Sequence, residues 1–366
     1  MSFLAALALL AAQDAPAPDR SQDMAWQSQQ MLALAKLNGA DGWHSTPEGL
    51  RWRRVKGDGT GKHPTVADTV TLHYAGTFID GTKFVAAAAC FDGEPWDILL
   101  QRGRNVQRAL PLASVLTLPA TGSEMNNGGV VTRKATQAKL SFSSAHCFPQ
   151  FSVLDPTKTY TLPREQIANG LVDAYVHIME QYLTYPVQAR PQDRFAEGLL
   201  QTLVEIAPGA LAEPPDYDHR ANLMWTATLA LNGLIGAGVP QDWATHMIGH
   251  ELTALYGIDH ARTLAIVLPS LMQSQRAAKR DKLLQYAERV WHVSGGTEDE
   301  RIDAAITHTR AFFESVGIPT RLSAYGLGRE AVDAVVAQLT AHGMLKLGEH
   351  RAITPEVSRA ILEAAL

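Results

Sequence analysis

IDGTKFVAAAAC, residues Ile79–Cys90, starts with the signal of one structure and ends with that of another. Just upstream, Val70, Leu72 and Tyr74 alternate with Thr71 and His73, the period of a half-buried strand. Asp80-Gly81 is a strong hairpin turn, so a second strand would follow it. The alanines argue otherwise, because Ala loses no side-chain entropy in a helix and offers a sheet no branched surface to pack. Gly81 inside a helix costs about 1 kcal/mol, less than the roughly 1.5–3 kcal/mol that burial of Phe84 supplies. The expectation is a helix over Asp80 to Ala89.

The rest of the chain sets the bounds. With 366 residues, 46% of them hydrophobic and 19% charged, it is long enough for large cores and for two or three domains. A net charge of -5 leaves no basic surplus to neutralise a phosphate backbone, which argues against nucleic acid as a partner. The basic run Arg51-Trp52-Arg53-Arg54 reads as a solvated strand face. Cys90 and Cys147 cannot build a disulfide framework and read as small apolar residues in a reducing compartment. The apolar run from Phe3 to Ala12 is too short to span a bilayer. It is similar to a signal-peptide core, but no Lys or Arg precedes it, so the expected location is cytoplasmic, with secretion as the weaker alternative and no membrane association.

Four zones follow along the chain. Residues 1–44 are an apolar tip, a linker and a partly helical segment; residues 45–79 are short strands broken by Gly-rich turns such as GDGTGKHP. Residues 80–160 mix helices with two apolar runs, ASVLTLPATGSE and FSVLDP, that read as buried strands of an α/β domain. Residues 161–366 read as helical. Leu283, Leu284, Tyr286, Ala287, Val290 and Trp291 mark one apolar stripe; Ile302, Ala305, Ile306, Phe312, Phe313 and Val316 mark another, closed by Gly317 and Pro319. Thr354-Pro355 is a helix start.

Chemistry concentrates in this helical zone. In LPREQIANGLVDAYVHIMEQYLT, Asp173 and His177 are spaced to leave one helix face a turn apart. In THMIGHELTALYGIDH, His246 and His250 repeat the spacing, Gly257 can end the helix, and His260 can fold back from the next segment. Imidazoles with one carboxylate suit a divalent ion such as ferrous iron or zinc better than calcium, which prefers oxygen cages. The isolated residues His146, His219, His292, His308, His342 and His350 read as packing or capping histidines.

These motifs give the chain from about Asp80 to its C-terminus a resemblance to the iron-containing alcohol dehydrogenases, in particular to NADPH-dependent aldehyde reductases similar to butanol dehydrogenase. It rests on TLPATGSE, SAHCFPQFSVLDP, NGLVDAYVHIMEQY, DRFAEG, LNGLIGAGVPQDWATHMIGHELTALYGIDHARTLAIVLP and KLLQYAERVW, in that order. The resemblance implies Asp173, His177, His246 and His260 as metal ligands, and His250 as a catalytic residue close to the nicotinamide and substrate. It implies hydride transfer between NADP(H) or NAD(H) and a short-chain aldehyde or alcohol, and leaves a homodimer open. Thr117, Thr121 and Ser123 match the family's cofactor loop, and Lys139 matches a lysine near the nicotinamide ribose. The family's glycine-rich loop falls on Tyr74 to Thr77, where only Gly76 and Thr77 keep its character.

Upstream, STPEGLRWRRVKGDGTGKHPTVADTVTLHYAGTFIDGTKF resembles the opening of an FKBP-type peptidyl-prolyl isomerase, with Tyr74 and Phe84 matching pocket aromatics. Val85 stands where that family has Asp, and the later pocket-forming half is absent. The expected architecture is therefore a short FKBP-like β-rich segment, an α/β remnant of a dinucleotide-binding domain, and an all-α metal-binding domain. The expected function is a metal-dependent alcohol/aldehyde oxidoreductase, with cofactor binding impaired by the truncated domain. The alternatives are a prolyl isomerase or chaperone module and a catalytically inactive metal-binding fusion.

Overall fold

The computed structural model describes residues 43–45, 51–53 and 78–366, and divides the chain into two units, Met1–Thr69 and Val70–Leu366. In the first, Trp43–Ser45 (β1) pairs antiparallel with Arg51–Arg53 (β2), Trp43 opposite Arg53. The remainder of the FKBP-like stretch up to Thr77, and the Tyr74–Thr77 loop with its candidate residues Gly76 and Thr77, lie outside the described residues.

The second unit opens with the helix that the alanines imply. Phe78–Ala88 (α1) carries Asp80-Gly81 inside it, and the Ala89 N–H closes the last turn on the Val85 carbonyl at 2.9 Å. Phe84 is buried and meets Phe142 edge to face at 6.1 Å, within a small core that includes Ile98, Leu99, Val106 and Cys147. Cys147 is thus the buried residue that its sequence context implies, whereas Cys90 is only half-buried.

Trp96–Leu100 (α2) leads into four short strands: Ala113–Val115 (β3), Gly128–Arg133 (β4), Ala138–Ser143 (β5) and Phe151–Val153 (β6). β3 and β6 pair in parallel, Ala113 opposite Phe151, while β4 and β5 form an antiparallel ribbon. The two apolar runs hold strands, but these are only partly buried: Ser114 and Leu116 are covered, whereas Val115 is 56% and Phe151 64% exposed. Among the described residues each pairs only with the other, and a parallel strand is buried only when neighbours and helices cover both faces.

From residue 164 the chain is helical: Arg164–Tyr182 (α3), Arg190–Ala210 (α4), Tyr217–Leu231 (α5), Ala244–Tyr256 (α6), His260–Ser274 (α7), Arg280–Arg289 (α8), Glu298–Ser315 (α9), Arg329–Ala341 (α10) and Pro355–Glu363 (α11). Every residue of α3 from Ile167 to Tyr182 is buried, the pattern of a helix enclosed on all sides. It packs against α4, α5 and α7. The two apolar stripes enter this core through Leu283, Tyr286, Ala287 and Val290 and through Ile302, Ala305, Phe312 and Phe313. A second core joins α6 and α7 to α10 and α11 through Ile248, Leu252, Leu271, Val332, Leu339 and Ile361. No described helix is long and apolar enough to cross a membrane.

Side chains terminate the helices where the sequence places them. The Thr354 hydroxyl accepts from the Val357 N–H ahead of α11, with Pro355 at the first turn. At α9, Thr297 and Glu300 form a reciprocal capping box, each side chain accepting the other's backbone N–H. Thr297→Ala leaves an N–H unsatisfied by protein and is expected to cost about 1 kcal/mol in urea unfolding. No change in the unfolding midpoint would show that this cap contributes nothing.

Candidate metal centre

Three elements bring the ionisable groups together. α3 presents Asp173 and His177 from successive turns, and α6 presents His246 and His250 in the same way. Gly257 ends α6 in the left-handed conformation, φ 68°, where a Cβ would be strained. The chain then turns back, so that His260 opens α7 beside the other two helices. Asn169 of α3 holds this turn by donating to the Asp259 carboxylate at 3.0 Å.

One ligand atom from each of Asp173, His246 and His260 lies within 4.8 Å of the other two. Asp173 Oδ1 is 3.8 Å from His177 Nε2 and 3.7 Å from His260 Nε2. The His177 ring stacks on His246 at 4.7 Å, and His250 lies 5.1 Å from His260 between ring centres. Asp173, His177, His246 and His250 are all buried. Yet Asp173 Oδ1 and His246 Nε2 have no hydrogen-bond partner among the described residues. Buried polar atoms are rarely left so, and two converging on one point fit a divalent cation. Burial holds His177 and His246 down at about 4, and His250 and His260 well below the usual imidazole range. All four rings are therefore neutral at pH 7, the form that ligates a metal.

Two neighbours escape a reading by motif. Glu180, one further turn along α3, accepts from the Thr245 N–H at 2.7 Å, and its other oxygen meets His246 Nδ1. Its place three residues after His177 was the available signal, since Asp173, His177 and Glu180 share one helix stripe. Trp243 precedes α6 with φ 64° and sets its ring edge to face against His246 at 5.2 Å. A bulky residue held in the left-handed region is strained, and the sequence carries no sign of it.

The candidate cofactor residues lie on the α/β part. Thr117 is exposed and Thr121 half-buried, but Ser123 is buried, its hydroxyl accepting from Thr121 at 3.0 Å. Asn126 ties this turn down, donating to the Thr121 carbonyl at 3.0 Å and accepting from the Lys83 ammonium at 2.8 Å. Lys139, opposite Thr132 in the β4–β5 ribbon, is near enough for its charge to lower His246, His250 and His260 further. The structure thus gathers Lys139 with the histidine cluster. Of the isolated histidines, His219 pairs with the α5 cap Asp216, and His342 with Glu251 of α6.

The chain is similar in sequence and fold to known proteins. Residues 167–366 match the C-terminal part of the Fe-containing alcohol dehydrogenase family, and residues 75–156 match the iron-containing alcohol dehydrogenase model. The chain belongs to the iron-containing alcohol dehydrogenases. It is 61% identical over 292 residues to the NADPH-dependent aldehyde reductase YqhD of Escherichia coli, covering 79% of this chain and 76% of that one. Against NADH-dependent butanol dehydrogenase B of Clostridium acetobutylicum the identity is 41%, covering 72% and 68%. The crystal structure of E. coli YqhD superposes with a TM-score of 0.78 over 79% of this chain and 74% of that one, at 61% identity. NADH-dependent butanol dehydrogenase A from Thermotoga maritima gives 0.74 over 78% and 73%, at 33% identity. The α/β part followed by a helical part is therefore this family's fold.

Proposed function

We propose that this iron-type alcohol dehydrogenase reduces short-chain aldehydes with NADPH or NADH, through a divalent metal held by Asp173, His177, His246 and His260. The observation that carries the reading is the convergence of Asp173, His246 and His260, with His177 Nε2 3.8 Å from Asp173 Oδ1, while Asp173 Oδ1 and His246 Nε2 are buried without a hydrogen bond among the described residues. It is supported by the 61% identity to an NADPH-dependent aldehyde reductase. In this reading residues 80–160 serve the cofactor and residues 161–366 the metal.

When bound, the metal supplies Lewis-acid polarisation of the carbonyl and the nicotinamide supplies hydride. Asp173 contributes the one anionic ligand, and the three neutral imidazoles complete a set suited to iron or zinc. His250, whose buried Nε2 has no partner among the described residues and whose ring lies beside His260, would pass a proton toward the product oxygen. Thr117, Thr121 and Lys139 face the cofactor, and Ser123 fixes the turn that carries Thr121. Burial of the histidine cluster keeps bulk water from competing for the site.

The test is NADPH oxidation with a short aldehyde by iron- or zinc-loaded protein, repeated after chelation. Turnover that disappears on chelation and returns with the metal is expected. Absence of turnover in the loaded protein, or an equal rate after verified metal removal, contradicts the proposal.

A further inference from the structure

We propose that Glu180 is a positioning residue for the metal site, acting through His246; this rests on the proposed metal-binding role of that histidine. The Glu180 carboxylate is buried, 3% exposed, at the junction of α3 and the first turn of α6. Oε1 accepts from the Thr245 N–H at 2.7 Å and the His246 N–H at 3.4 Å, while Oε2 meets His246 Nδ1. The Glu180 carbonyl also accepts from the Asp242 N–H at 2.8 Å, and the Asp242 carboxylate caps the Ala244 N–H at 2.7 Å. The free N–H groups at the start of α6 are therefore shared between Asp242 and Glu180.

A neutral imidazole has one N–H and one lone pair, and a partner at one nitrogen decides which atom carries which. Burial, and next the charge of Asp242, push the Glu180 carboxyl up, while the Thr245 and His246 N–H groups at Oε1 oppose this; held as a carboxylate by those two donors, it takes a third at Oε2. His246 Nδ1 then carries the proton, and Nε2, which is buried and has no partner, presents its lone pair toward Asp173 and His260. The same contact fixes the ring's orientation, a role carboxylates commonly play behind metal-bound histidines.

Glutamine in place of Glu180 keeps the shape and reverses this logic. With its amide oxygen on the Thr245 and His246 N–H groups, its NH2 donates to Nδ1 and drives the imidazole proton onto Nε2. With the amide turned round, the NH2 opposes two N–H donors. A residue that merely caps α6 would lower stability on substitution without altering the metal affinity of the folded protein.

The test is zinc affinity of the full chain by chelator competition, for the wild type, Glu180→Gln and Glu180→Asp, with thermal unfolding of each metal-free protein alongside. Glu180→Gln is expected to lose about 10- to 100-fold in zinc affinity while remaining folded, and Glu180→Asp, which keeps an anionic acceptor, to recover part of the loss. Equal zinc affinity in wild type and Glu180→Gln overturns the proposal. If Glu180→Gln does not fold, nitrogen-resolved imidazole spectra of the zinc-loaded wild type decide instead. A His246 Nδ1 proton shifted far downfield and protected from exchange supports the contact; rapid exchange with water overturns it. Failure of the wild type to bind zinc is a separate result, and refutes the metal site itself.

Discussion

Asp173→Ala is expected to bind almost no metal and to lose aldehyde reduction by roughly a thousandfold or more, while the metal-free variant melts no lower than the metal-free wild type. Asp173 supplies the only anionic ligand among the four proposed. Metal sites with four protein ligands are worth roughly 10–16 kcal/mol, so one ligand accounts for several kcal/mol, and each 1.4 kcal/mol is tenfold in occupancy. The expectation for stability comes from the same atom. Asp173 Oδ1 is buried with no hydrogen bond, and a buried acceptor left unsatisfied costs about 1–3 kcal/mol. Its removal relieves that cost and offsets the small cavity left behind. Metal analysis and calorimetry of both apo proteins check the two halves together. Full metal occupancy in Asp173→Ala would remove this residue from the site, and a marked loss of apo stability would mean that it serves the fold instead.

The second large effect is expected at Gly170, on α3 one turn before Asp173. A Cβ there would lie 2.3 Å from the Pro119 carbonyl oxygen, a backbone atom that cannot rotate away. Pro119 belongs to the turn that carries Thr117, Thr121 and Ser123, so this contact sets the cofactor turn against the metal-binding helix. Gly→Ala in a helix ordinarily stabilises by up to about 1 kcal/mol, but crowding a packed interior costs typically 1–3 kcal/mol. Gly170→Ala should therefore destabilise the protein in urea unfolding and weaken NADPH binding together. Gly198, in α4, provides the control: a Cβ there meets nothing within 4 Å, and Gly198→Ala should stabilise by a few tenths to about 1 kcal/mol. Stabilisation at both positions would show that the turn does not press on α3.

How much of this was legible in the sequence depended on how local the determining physics was. The α1 helix was readable because Ala preference and the burial of Phe84 outweigh one glycine, and both are properties of the segment itself. The gathering of Asp173, His246 and His260 was readable because one-turn spacing puts side chains on one helix face and Gly257 returns the chain at His260, whereas the choice of four ligands rests on the family resemblance. β3 and β6 were found as strands, but Val115 and Phe151 were read as buried when they are exposed. Apolar content reveals a strand, whereas its cover depends on neighbours elsewhere in the chain. Glu180, Trp243 and the Gly170–Pro119 approach were missed for the same reason, since each is decided where separate segments meet. Ser123 matches the family's cofactor loop, and that match carries no signal of its burial, which depends on how the turn packs. The glycine-rich-loop positions Gly76 and Thr77, and most of the FKBP-like stretch, rest on sequence alone.

Anomalous diffraction at the metal absorption edge, from crystals of the iron- or zinc-loaded protein, tests the central claim most directly. The account predicts a single strong peak enclosed by Asp173, His177, His246 and His260, at about 2.0–2.2 Å from each ligand atom, with His250 outside bonding distance. A peak elsewhere in the chain, or one that takes His250 as a ligand in place of His177 or His260, would contradict it.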